Sequence, residues 1–155
     1  MQYNELINGF AARLGIEGVR PENGTTMLEV DNMRFAITSQ TDGGIMLYGI
    51  LGEAAPDASE HLCRMLLEAN HLLTATKGAT LCRDPETGEF ALCRELAHAD
   101  HLDVEGFSAA FQDFVDTAEV WHKAVVGLSS AETHAVNPEE WFMPHPITGH
   151  NVIHV

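Results

Sequence analysis

The chain has 155 residues, with 8 Lys+Arg against 23 Asp+Glu, a net charge of −15 and 45% hydrophobic residues. That length suits one domain able to bury about two thirds of its unfolded surface without staples, and the apolar content excludes a disordered chain. The acidity argues against nucleic-acid backbones and anionic membranes, both of which are held mainly through Lys and Arg.

The segment Gln2–Leu14 places Tyr3, Leu6, Ile7, Phe10 and Leu14 on one helical stripe, which Gly15 and Gly18 end. Thr25–Val30 and Met33–Thr38 flank Asp31-Asn32, a pair suited to a tight hairpin turn. Thr41-Asp42-Gly43-Gly44 is a second turn, leading into Ile45–Leu51. In that strand Ile45, Leu47 and Leu51 point one way and Met46, Tyr48 and Ile50 the other, so burial on both faces is expected. Asp57 with Glu60 reads as a capping box for a second helix. Its stripe is Leu62, Met65, Leu66, Ala69, Leu72 and Leu73, and it is expected to end before Gly78. Ala79–Arg83 and Phe90–Glu95 are two more strands around an Asp84–Glu89 turn. Asp103 caps a third helix, whose seam is Phe107, Phe111, Phe114, Ala118, Trp121 and Val125. The predicted fold is α+β, in the order α-β-β-β-α-β-β-α, with a twisted antiparallel sheet packed by helices. The domain spans 1–126. Residues 127–155 form a tail with three Glu, no Lys or Arg, four His and three Pro, and its aromatic content points to packing on the domain or on a neighbour.

Chemical signatures are sparse. His98, His101 and Asp103 have a spacing that binds zinc only when further ligands converge, and no C-x-x-C pair supplies them. A small metal-dependent enzyme is therefore the weaker alternative, and no cofactor is expected. His134, His145, His150 and His154 are dispersed, and His61 and His71 point to different helix faces. No nucleophile elbow or phosphate-binding loop occurs. The three cysteines, Cys63, Cys82 and Cys93, are an odd count, and the N-terminus lacks a basic and apolar leader. The longest apolar run, Gly43–Gly52, is far short of the ~20 residues of a membrane span. A cytoplasmic protein with buried thiols is the expectation.

What remains is apolar surface. Helices one and three can cover one sheet face, so the stripe of helix two packs either on its own sheet or on a second copy of itself.

Several segments together resemble the class I type III secretion chaperones, the Tir-chaperone family. They are Leu6–Gly15, Ile45–Gly49, Leu66–Asn70, Ala79–Asp84 and Phe90–Cys93, within a match running from Asn4 to Val126. The resemblance implies a non-enzymatic bacterial homodimer. Such a dimer holds the N-terminal region of a secreted effector in extended form and keeps it soluble and export-competent. A regulatory binder that sequesters another protein is the alternative on the same fold. By position, the dimer contact is assigned to Leu62, Met65, Leu66, Ala69 and Leu73, with Leu66→Glu expected to split the dimer. The effector groove is assigned to Leu6, Phe10, Met33, Phe35, Met46 and Tyr48.

Overall fold

The computed structural model describes residues 3–16, 19–53, 59–97 and 101–130. Helix α1 (Tyr3–Arg13) turns Leu6, Ile7, Phe10 and Ala11 inward. Strands β1 (Thr25–Val30) and β2 (Met33–Ser39) form the expected hairpin. Asp31 and Asn32 both take positive φ, 49° and 63°, which matches the mirror-image turn that favours these residue types. Strand β3 (Ile45–Gly52) follows a turn in which Gly43 adopts φ 87° and the Asp42 carboxylate accepts the Gly44 N–H at 3.0 Å.

Helix α2 (Ser59–Ala69) is shorter than the sequence pattern suggests. Asn70 ends it, and a 3-10 turn, His71–Leu73, replaces its last turn. Leu72 and Leu73 lie in the left-handed region, φ 59° and 54°, so the apolar spacing there does not reflect a continuing helix. The Asn70 side chain accounts for the break. Its amide donates to Leu81 O at 2.9 Å, and its oxygen accepts Leu81 N–H at 2.8 Å. Leu81 belongs to strand β4 (Thr80–Arg83), which pairs with β5 (Phe90–Leu96). Helix α3 (Val104–Ser130) closes the order and continues past the expected end at Val126. Asp103 is its N-cap, accepting the Gly106 N–H at 2.8 Å.

The sheet order is β1-β2-β3-β5-β4, antiparallel throughout. One face carries Met33, Phe35, Ile37, Ile45, Leu47, Leu51, Phe90 and Leu92, all at most 4% exposed. The seam of α3 lies on this face. Phe111 packs edge-on against both Phe10 and Phe35, with ring centroids 5.2 and 5.8 Å apart, so α1, α3 and β2 share one aromatic cluster. Gly49 lies beneath it, and a methyl there would come within 2.9 Å of Phe35 Cε1. Tyr3 secures α1 by donating from its hydroxyl to Ile37 O at 2.6 Å.

Arg94 is the buried charge on this face. Its guanidinium stacks 5.6 Å from the Phe114 centroid, Nη1 donates to Asp113 at 2.9 Å, and Nη2 donates to Lys77 O at 3.0 Å. Asp113 also meets Lys77 at 2.8 Å. Burial alone would raise the Asp113 carboxyl, but the two cationic partners together bring it below the usual carboxylate range. β5, α3 and the turn before β4 are thereby tied together.

Candidate protein-binding surfaces

The opposite face of the sheet is built from the alternate residues. The strand pairings align Met27, Ala36, Tyr48, Cys93 and Thr80 in one row across all five strands. A neighbouring row contains Thr25, Thr38, Met46 and Glu95, and on the other side Ile50 and Cys82 flank Ala91. Met27 is 60% exposed, while Met46, Tyr48 and Ile50 are half-buried. The expectation that β3 is buried on both faces is thus corrected. Its odd positions are sealed by α3, and its even positions are shielded only in part. Arg34 reaches Glu89 at 2.9 Å along this face, giving it a charged margin. The Tyr48 phenol is pushed up to about 12, first by burial and then by the charges of Cys82, Cys93, Asp84 and Glu89.

The six residues assigned to an effector groove do not share one surface. Leu6 and Phe35 lie in the core at 1% exposure. Phe10 and Met33 are also buried but form the floors of two surface cavities. One, about 330 Å³, runs between α1 and α3 and is lined by Phe10, Arg13, Leu14, Glu105, Ser108 and Phe111 among others. The other, about 290 Å³, lies between the β1–β2 turn and α3, beside Asp31, Met33, Glu119, His122 and Lys123. Met46 and Tyr48 stand on the far side of the sheet. The division follows from strand alternation: Met33 and Phe35 of β2 share a face with Ile45 and Leu47 of β3, never with Met46 and Tyr48. Met27, Ala36 and Ile50 share the open face with Met46 and Tyr48, as alternation through the hairpin register indicates.

Helix α2 divides its assigned contact residues in a similar way. Leu62, Leu66 and Ala69 join the chain's own core with Ala79, Leu81 and Phe90. Met65 is half-buried and Leu73 is 37% exposed. The outward apolar residues are Leu67, 73% exposed, and Leu72, 81% exposed. Leu72 and Leu73 hold left-handed backbone, a conformation costing roughly 1–2 kcal/mol per residue.

His98 lies outside the described residues, and the Asp103 carboxylate is engaged as a helix cap. Among the described residues no group of three or more His, Cys, Asp or Glu could hold a metal ion. Nor is any helix among them long and apolar enough to cross a membrane. Asp57, Glu139, Glu140 and the tail histidines also fall outside the described residues.

The geometry is thus an antiparallel sheet with helices on one side, a partly open apolar face on the other, and exposed leucines at Leu67 and Leu72. The sequence model of the Tir chaperone protein (CesT) family matches residues 5–122, and the chain belongs to that family. No curated protein matches it in sequence. Among solved structures it is similar to a chain of the ExsC-ExsE complex, with TM-score 0.67 and 22% identity over 79% of this chain and 92% of that one. It is similar to a chain of the HopA1-SchA chaperone-effector complex, with TM-score 0.63 and 18% identity over 78% and 93%. A chain of the ExoU-SpcU complex from the type III secretion system of Pseudomonas aeruginosa gives 0.61 and 19% identity over 80% and 98%. The TM-scores show a shared fold.

Proposed function

We propose that this protein is a cytoplasmic type III secretion chaperone, acting as a homodimer that holds the N-terminal region of a secreted effector in extended form. The observation that carries this reading is the family match over residues 5–122, on a fold also found in chaperone-effector complexes. The surfaces suit the task. An extended client offers alternating side chains, and the cavities floored by Phe10 and Met33 are separate sockets of the kind such a client fills. Methionines at both Met33 and Met27 give adaptable contacts. A chain charge of −15 keeps a partly apolar surface soluble and favours a basic client.

The two sheet edges differ in a way that directs strand addition. On β4 the Leu81 N–H and C=O are already engaged by Asn70, which blunts that edge. At β1 the outer backbone of Thr25 is engaged through its bridge to Glu22, so a client strand is directed to the stretch beyond it. We place the dimer contact on the outward side of α2 and the turn after it, through Met65 and Leu67 together with Leu72 and Leu73. Residues 1–126 form the working domain and 127–155 an appendage to it. Function consists of binding and release, with no bond made or broken.

The test is capture of the full chain from its native host, followed by limited proteolysis and mass spectrometry of the complex. The expected partner is a secreted protein whose N-terminal segment alone is protected and whose export falls when the chaperone gene is deleted. Capture of only a transcriptional regulator, with export of every effector unchanged, would replace this reading with that of a sequestering regulator.

A further inference from the structure

Cys82 on β4 and Cys93 on β5 stand on the open face of the sheet with their sulfurs 3.4 Å apart. The register explains the meeting. Cys82 pairs with Ala91 and Cys93 with Thr80, so the two cysteines are diagonal neighbours on adjacent strands. Both are half-buried and neither is in a disulfide. We propose that Cys82 and Cys93 form a reversible dithiol–disulfide site, oxidised by exchange with a small-molecule disulfide of the glutathione class.

The geometry favours a reversible bond over a permanent staple. Diagonal partners in an antiparallel ladder have Cα atoms roughly 7–8 Å apart, beyond the usual disulfide span of about 4.4–6.8 Å. The sulfurs must approach by about 1.4 Å to reach the bonded distance of about 2.05 Å. Closure therefore strains the β4–β5 pair, and strained disulfides are the readily reduced ones. Strand β4, which would take up this strain, is four residues long and lies at the edge of the sheet, anchored at Leu81 by Asn70.

The order of attack follows from the hydrogen bond between the thiols. Either thiol can donate in this bond, and with it Cys82 is lowered to about 7 despite burial and the nearby Asp84 carboxylate. The same bond, with burial, raises Cys93. Cys82 is thus the attacking thiolate. It displaces one small thiolate from the small disulfide, leaving a mixed disulfide on Cys82. Cys93, its proton lost to solvent, then attacks the Cys82 sulfur and expels the second small thiolate. Two protein thiols and one small disulfide become one protein disulfide and two small thiols. Two electrons pass from the protein to the small molecule. Cys63 on α2 has no such neighbour among the described residues and remains a thiol.

The experiment treats the full-length wild-type protein with oxidised glutathione, alkylates the remaining thiols, and reads intact mass and a peptide map. The expected result is loss of two alkylatable thiols, a cross-linked peptide joining Cys82 to Cys93, and full recovery on adding reduced glutathione. Cys93→Ser should instead accumulate one glutathione on Cys82, and Cys63→Ser should behave as wild type. The wild-type peptide map stands without the variants, should either fold poorly. Equal modification of all three cysteines, glutathione adducts without the Cys82–Cys93 peptide, or cross-links through Cys63 would each overturn the proposal.

Discussion

Leu66 and Leu67 are neighbours on α2, yet one is 5% exposed and the other 73%. Charging Leu67 tests the α2 dimer without touching the fold. Fully burying a leucine contributes about 1.5–3 kcal/mol, and roughly three quarters of that gain is still available at Leu67. A two-fold contact counts the residue twice, so Leu67→Glu should remove about 2–4 kcal/mol from dimerisation. That corresponds to roughly 30- to 1000-fold in the dissociation constant, while monomer stability should change by less than about 0.5 kcal/mol. Leu66→Ala should do the reverse. It opens a cavity costing about 2–5 kcal/mol, lowers Tm by about 5–20 °C, and leaves the outer surface intact. Leu66→Glu is consequently no clean dimer test, because its carboxylate would enter the core. Light scattering over a dilution series, paired with thermal unfolding, separates the two effects. Wild type should give about 34 kDa, twice the chain mass of 16.9 kDa. A Leu67→Glu protein that keeps this mass at nanomolar concentration would refute the placement. So would Leu66→Ala splitting the dimer at unchanged Tm.

Three further outcomes follow from the packing. Gly49→Ala forces a methyl to 2.9 Å from Phe35 and 3.4 Å from Phe114, so urea unfolding should show about 1–3 kcal/mol of lost stability with the slope unchanged. Asn70→Ala removes both bonds to Leu81 and should cost about 1–3 kcal/mol, with faster hydrogen exchange at the Leu81 amide; a protected amide would show that β4 holds itself. Tyr48 titrates at about 12 in the fold against about 10 in the unfolded chain. The stability tied to its neutral phenol is therefore whole below about pH 10 and is lost as pH rises through about 12. Tyr48→Phe should flatten that part of the alkaline stability profile; parallel profiles for variant and wild type would contradict the burial of the phenol.

The elements legible in the sequence were those set by local rules. Asp31-Asn32, the Asp84–Glu89 turn and the Asp103 cap all act within a few residues, and each lies where its spacing indicates. The phenylalanine seam of α3 was equally plain, since a stripe of that length has one mode of burial. The end of α2 was not legible. Leu72 and Leu73 continue the helical spacing, but the long-range bonds from Asn70 to Leu81 and the bonds of Thr76 and Gly78 to Leu73 O hold a turn there instead. The candidate site fared worse for a related reason. Periodicity names the apolar positions but not which of two apolar faces is sealed. On β3 both faces read alike, and the choice is made by α3, whose Phe114 lies over Gly49.

That choice explains why an apolar face is left open at all. β3 is central and carries Met46, Tyr48 and Ile50 on the side away from α3. Solvated sheet faces usually alternate to polar residues there, and here the polar groups lie toward the rim: Glu29 and Arg34 on β1 and β2, and Glu95 on β5. An apolar centre with a charged rim is the composition of a surface built for intermittent cover. A helix fixed on that face would stabilise the monomer and remove the surface from use. The cost of leaving it open is limited by the same acidity that opposes nucleic acid: copies of a chain with charge −15 repel one another, which slows open-ended association of these faces. A symmetric contact through Leu67 and Leu72, as proposed, would leave the sheet face free on both protomers, so dimerisation would not compete with a client for that apolar area.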